Sequence, residues 1–277
     1  MWRKYIGPIF GDRPWRAASL EQLDRWYASI LASKGVREAH RAMKIWRALF
    51  VVATAMHKTV AIDPSSGIRR KTPRPRTAVW SEGEAVRLIK GAWRMDYRGL
   101  AALLAIAWDS QFAPIDCRSL TPAQMTSTKD KRIAFAVDRA KTGAPAIGTL
   151  CKRSQRILEA YLAGIGVELF PNVPILRNRS GGPYTKETLN KDFAKVRAAV
   201  LGDAETRKIM DMRRSGAVEA MAGDVDDGAL AAKMANTISQ AAELQRTYLP
   251  VDPVSVARAD AARLRGRTKL RSENKTG

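Results

Sequence analysis

The sequence predicts a mainly α-helical chain of two domains with one small antiparallel β-sheet. Three observations predict it. Apolar residues recur at helical spacing through most of the chain, beginning with Leu20, Leu23, Trp26, Tyr27, Ile30 and Leu31. One stretch, Lys131-Arg132-Ile133-Ala134-Phe135-Ala136-Val137-Asp138, alternates with period two instead. A proline-broken basic run, Arg69-Arg70-Lys71-Thr72-Pro73-Arg74-Pro75-Arg76, divides a short N-terminal segment from a longer C-terminal one. At 277 residues and 45% hydrophobic content, the chain is long enough for two buried cores, and disorder along its whole length is excluded.

The first helix begins after Ser19, a side chain suited to accept from the orphan backbone N–H groups of the first turn. A second covers 36–58, with Ala39, Met43, Trp46, Leu49, Phe50 and Ala53 on its apolar side. Arg37, Arg41, Lys44 and Arg47 recur among them as a basic face, which either follows a phosphate backbone or is simply solvated. Asp63-Pro64-Ser65-Ser66-Gly67 breaks the pattern, and the basic run comes next. Its prolines deny helix and its cations repel one another into an extended strap. Residues 1–62 are therefore read as a helical domain, 63–78 as a basic linker, 79–252 as a second domain and 253–277 as a basic tail. Ser81 and Glu84 form a capping box opening a helix over 82–94. Helices come next over 97–108 and 114–119. The period-two stretch then pairs with a strand from Ala146 to Leu150 across the turn Thr142-Gly143-Ala144-Pro145. Helices resume over 152–163, 185–200, 211–222, 226–235 and 239–246.

Lysine and arginine number 48 against 27 acidic residues, a net charge of +21. An excess of that size calls for a polyanionic partner, most simply nucleic acid. Cys117 and Cys151 are the only cysteines. They have no CxxC spacing and no nearby histidine, so no zinc site, other metal or cofactor is expected. Met1-Trp2-Arg3-Lys4-Tyr5 has no apolar signal core. The longest apolar stretch, from Ile45 to Met56, is interrupted by Arg47 and too short to span a bilayer. The expectation is a soluble cytoplasmic, nucleoid-associated protein with no membrane partner.

Four stretches carry a more specific signal through their order and spacing. They are Trp80-Ser81-Glu82-Gly83-Glu84; Asp138-Arg139-Ala140-Lys141-Thr142-Gly143; Gly182-Pro183-Tyr184 before the 185–197 helix; and Met212-Arg213-Arg214-Ser215-Gly216-Ala217 with Thr247-Tyr248-Leu249-Pro250 downstream of it. Together they resemble the tyrosine recombinases, the phage integrase family, over nearly the whole chain. The resemblance implies a helical core-binding domain, a basic linker and an α+β catalytic-type domain that encircle double-stranded DNA. It also implies roles: Tyr248 as nucleophile on a phosphodiester, Arg213 as a phosphate clamp, and Lys141 as proton donor to the leaving 5′ oxygen.

The departures from the family pattern are as informative. The first arginine of the pattern falls on Ala113 in Gln111-Phe112-Ala113-Pro114-Ile115-Asp116, although the acidic position survives as Asp116. The histidine before the second arginine is Met210, read as core filler beside a vacant pocket, and the later histidine or tryptophan is Asn236. Both histidines of the chain, His40 and His57, lie in the N-terminal segment. The five-coordinate transition state of phosphodiester cleavage needs fixed donors for its growing charge, and alanine and methionine supply none. Arg118 or Arg214 could substitute only by swinging in, and Arg118 lies five residues past Ala113, on a different helix face.

The leading expectation is a DNA-binding protein of this fold with a defective site, acting as a regulator or as an accessory subunit beside an intact recombinase. A divergent integrase cleaving through Tyr248 is the enzymatic alternative, and a nonspecific architectural protein the third. DNA contacts are expected from Arg37, Arg41, Lys44, Arg69, Arg70, Lys71, Arg74, Arg76, Lys141, Arg213 and Arg214. The tail cations Arg263, Arg265, Arg267, Lys269 and Arg271 would touch DNA or dock on another subunit, whether a second copy or an intact recombinase.

Overall fold

The computed structural model describes residues 1–74, 76–166, 168–222 and 233–234. The chain divides into two compact units, Met1–Pro75 and Arg76–Gly277.

In the first unit a π-helical turn, Trp2–Ile6, runs into α1 (Gly7–Phe10), and a 3-10 turn, Trp15–Ala17, leads to α2 (Leu20–Lys34). Ser19 caps α2 reciprocally with Gln22. Gly35, at φ +82°, takes a conformation open to glycine and lets the chain reverse at once into α3 (Val36–Met56). Leu23, Trp26, Tyr27 and Ile30 on α2 meet Ala39, Met43, Trp46 and Phe50 on α3. Phe10 closes this core, its ring edge-on to Trp26 at 5.6 Å and 4.8 Å from Trp46. The N-terminal turns carry no capping signature and result from burial of Ile6 and Phe10. Leu49, placed on the apolar side of α3 by its spacing, is exposed.

Much of the segment read as a linker folds onto this unit. Asp63 Oδ1 accepts from the Ser65 amide at 2.8 Å and from Trp46 Nε1 at 3.3 Å, fixing a 3-10 turn at Pro64–Gly67. Ile68 joins the core, and Tyr27 Oη accepts from the Lys71 amide at 2.8 Å. Arg47 belongs to this arrangement and not to the basic face. Its Nε donates to Ser65 Oγ at 3.1 Å and its Nη2 to the Ile68 carbonyl at 3.2 Å. A buried turn needs its carbonyls satisfied, and a long side chain on α3 reaches them.

The second unit is built around α5 (Arg98–Ser110). From Leu100 to Ala107 every residue is at most 1% exposed, as suits a helix that is apolar all round. Around it pack α4 (Glu82–Arg94), α6 (Pro114–Arg118), α7 (Lys152–Ala163), α8 (Lys186–Leu201) and α9 (Asp211–Ala222). A Cβ on Gly99 would stand 1.9 Å from the Arg177 carbonyl oxygen, so this crossing excludes a side chain. A three-stranded antiparallel sheet, β1 (Met125–Ser127), β2 (Ile133–Asp138) and β3 (Pro145–Thr149), lies in the order β1-β2-β3. Phe135 pairs with Met125 on one side and Gly148 on the other. Strands β2 and β3 are legible in the sequence but β1 is not, because its three residues are too few to display alternation. Gly148 lies flat on the end of α5, where a Cβ would come within 2.4 Å of Ser110 Cβ and 2.8 Å of Phe112. The helices expected over 226–235 and 239–246 fall, apart from Lys233 and Met234, outside the described residues. Among those described, no helix is long and apolar enough to cross a membrane.

An ion cluster ties the start of this unit to the approach to α9. Arg207 donates to Glu84 and Glu205, reaches the Val79 carbonyl at 2.7 Å, and lies 4.1 Å over the Trp80 ring. Hydrogen bonds from Arg207 hold both carboxyls well below their ordinary 4.5, at about 2. Their folded values are depressed, so their contribution is complete above about pH 4.5 and disappears as pH falls toward about 2. The melting temperature of the wild type should accordingly fall more steeply across that window than that of Glu84→Gln/Glu205→Gln. Parallel curves would remove the cluster from acid stability.

Candidate functional site

The site forms where α5 ends, α9 begins and the β2–β3 turn folds over both. Helix α5 stops at Gln111, which adopts a left-handed conformation (φ 58°) and is only 8% exposed. That cap turns its carbonyl toward α9, where Arg213 Nη1 donates to it at 2.8 Å. Gly216, one turn along α9, makes room for the Gln111 side chain: a Cβ there would lie 2.1 Å from Gln111 Nε2. The second fork nitrogen, Arg213 Nη2, donates to the Met234 carbonyl at 2.5 Å. Two backbone oxygens, those of Gln111 and Met234, thus take the Arg213 guanidinium from different parts of the chain.

Ala113 comes directly after as the N-cap of α6, with Pro114 setting the first turn. Asp116, on α6, is buried, and its Oδ1 accepts from the Ala140 amide at 3.0 Å. Its Oδ2 lies 3.3 Å from Arg139 Nη1. Arg139 is not singled out as a site residue by the sequence, yet it is 7% exposed and its guanidinium stacks 5.5 Å over Phe112. Its Nη2 donates at 3.3 Å to the same Met234 oxygen that Arg213 holds. The signal was present: Arg139, one residue past β2, continues the inward phase of Phe135 and Val137. Cys117, next to Asp116, is fully buried, and desolvation pushes its thiol pKa up, so it is inert here.

Beyond Arg139 the chain turns sharply. The amides of Thr142 and Gly143 donate to the Arg139 carbonyl at 3.1 and 2.8 Å, with Gly143 at φ +66°. Lys141 rides exposed on that turn. Two sequence expectations are corrected around the start of α9. Met210 is no core filler: it is 54% exposed, while Met212 takes the buried position. Arg214 is no surface DNA contact: it is 4% exposed, donating to the Ala78 carbonyl at 2.7 Å and lying 3.5 Å from Asp211. Arg76 makes a forked bond to the same carboxylate, Nε and Nη2 each at 2.7 Å. The physical reason is Asp211, which is 1% exposed and needs cations beside it. Arg118 is also turned away, donating to the Tyr184 carbonyl at 3.2 Å. Tyr248 and Asn236 lie outside the described residues.

In the first unit Arg37, Arg41 and Lys44 are exposed at i, i+4 and i+7 along one side of α3. Arg69, Lys71 and Arg74 are exposed and Arg70 is half-buried. These side chains form a basic surface on that unit.

No protein-family model matches the chain, and no curated protein sequence does either. Solved structures do match. The fold is that of the tyrosine recombinases, mainly helical with a small antiparallel sheet. A lambda integrase dimer bound to a COC′ core site matches with a TM-score of 0.70 at 12% identity, over 90% of this chain and 87% of that one. The XerH site-specific recombinase in a post-cleavage complex with palindromic difH also gives 0.70 at 12% identity, over 94% and 76%. The Tn1549 transposon integrase in complex with transposon right end DNA gives 0.66 at 13% identity, over 95% and 92%.

Proposed function

We propose that this chain is a DNA-binding protein that keeps the duplex-holding half of the recombinase site and has lost strand cleavage. It acts in site recognition, as a regulator or as an accessory subunit beside an intact recombinase. The observation that carries this reading is the contrast within the second unit. Arg213 is oriented by the Gln111 and Met234 carbonyls as a phosphate fork, whereas positions 113 and 210 hold alanine and methionine. Both histidines of the sequence, His40 and His57, belong to the first unit, so the second offers no imidazole for proton transfer. The net charge of +21 and the exposed cations of α3 and of residues 69–74 suit backbone contacts with DNA.

Arg213→Ala tests the reading. Removing one phosphate contact should weaken duplex binding and lower the slope of log affinity against log salt by about 0.9. Fluorescence anisotropy over a salt series measures both quantities. A slope equal to that of the wild type would take Arg213 out of the phosphate contacts.

A further inference from the structure

We propose that Arg139 supplies the guanidinium that position 113 lacks, so that Arg139 and Arg213 together seat one phosphodiester of bound DNA. The inference rests on the DNA-binding reading above and assigns it a residue outside the sequence pattern. Three observations carry it. Arg139 and Arg213 come from different elements, the β2–β3 turn and α9, yet each directs an Nη2 donor at one oxygen, the Met234 carbonyl. Two planar forks converging on a single acceptor form the donor arrangement that a non-bridging phosphate oxygen would fill, with charge that a carbonyl does not supply.

Burial is the second observation. Arg139 is 7% exposed, and its Nε has no hydrogen-bond partner among the described residues. A buried guanidinium nitrogen without an acceptor is costly, and an arriving anion would relieve that cost. The third is orientation. Asp116 is the carboxylate ion-paired with Arg139 at 3.3 Å, and this buried pair fixes where the Arg139 fork points. Phe112 beneath the Arg139 guanidinium and the Ala140 amide on Asp116 hold the geometry before any ligand arrives. The alanine at 113 is then consistent with its surroundings, because the adjoining hairpin already brings a fork to this place.

The test uses the full chain and a random-sequence DNA duplex. Asp116→Asn/Arg139→Gln removes both charges of the buried pair together, so no lone ion is left inside. A cooperative circular-dichroism melt checks that the variant folds. Binding should weaken by about tenfold, while the salt slope stays close to that of the wild type because the two charges removed cancel. A folded double variant with wild-type affinity would overturn the proposal. Should it fail to melt cooperatively, Arg139→Lys replaces it. Lysine retains the charge and the pairing with Asp116 but not the fork, so binding should still drop severalfold, and wild-type affinity would overturn the proposal. Inorganic phosphate at matched ionic strength should leave wild-type DNA binding unchanged. Displacement of the duplex by phosphate would mark a free-phosphate site instead. Failure of the broader reading is distinguishable: there the wild type would not bind the duplex at all, or Arg213→Ala would bind like the wild type. If only the position-139 variants bind like the wild type, this inference alone falls.

Discussion

Duplex DNA incubated with the wild-type protein is expected to accumulate no tyrosyl–DNA adduct. Cleavage by a tyrosine requires the phenol to lose a proton, the leaving 5′ oxygen to gain one, and the pentacovalent phosphorus centre to be neutralised throughout. In the proposed reading, Arg213 and Arg139 answer the last demand in part. Met210, read from the sequence as standing at the histidine position of the pattern, is 54% exposed, and a thioether can neither donate nor accept a proton usefully. The loss of one preorganised donor is worth roughly 10²–10³ in rate. Loss of a positioned acid–base group is worth about 10²–10⁴. Such losses are not additive, yet either leaves cleavage slower by orders of magnitude. Denaturing electrophoresis of end-labelled DNA after prolonged incubation checks the outcome. A covalent adduct that vanishes in Tyr248→Phe would show that the chemistry survives and would restore the integrase reading.

The largest stability effect is expected from Asp211→Ala. This carboxylate is 1% exposed and satisfies several parts of the unit at once. It takes the forked bond from Arg76, accepts from the Lys208 amide at 2.8 Å, stands 3.5 Å from Arg214, and begins α9, where a negative charge also suits the helix dipole. Removing it takes the Asp211 carboxylate away from the buried Arg214 and frees the start of the second unit at Arg76 from α9. Breaking a buried pair from one side costs about 3–5 kcal/mol, because the stranded charge remains desolvated. Urea denaturation should show the midpoint falling with the slope unchanged. A loss below about 1 kcal/mol would mean that solvent reaches Arg214 far more freely than its burial implies.

Much of the architecture was legible because local rules settled it. Ser19 caps its helix as expected, with Gln22 adding a reciprocal bond that the sequence reading did not include, and Ser81 forms the expected capping box with Glu84. The β2–β3 hairpin comes from alternation and a glycine turn, and β2 spans Ile133–Asp138 within the stretch expected to alternate. Features beyond the reach of local rules were determined by distant partners. Residues 63–71 are polar, basic and proline-flanked, a linker by composition, yet Ile68 and the Asp63 turn anchor them to α2 and α3. The roles of the arginines were the hardest to read. Arg76, Arg214 and Arg47 looked like cations for DNA contact and are engaged with buried acceptors, while Arg139, given no role by the sequence, lies inside the site.

By itself, the sequence determined the helical class, the small sheet, the excess of positive charge, and the alanine and methionine at positions 113 and 210. Those are properties of residue type and periodicity, which need no partner to be read. Only the tertiary structure decided which guanidinium groups stay on the surface and which turn inward. A long flexible cation goes where a buried carbonyl or carboxylate demands a donor, and that demand is created by chain segments far apart in sequence, as when Asp116 and Met234 draw Arg139 to the end of α5.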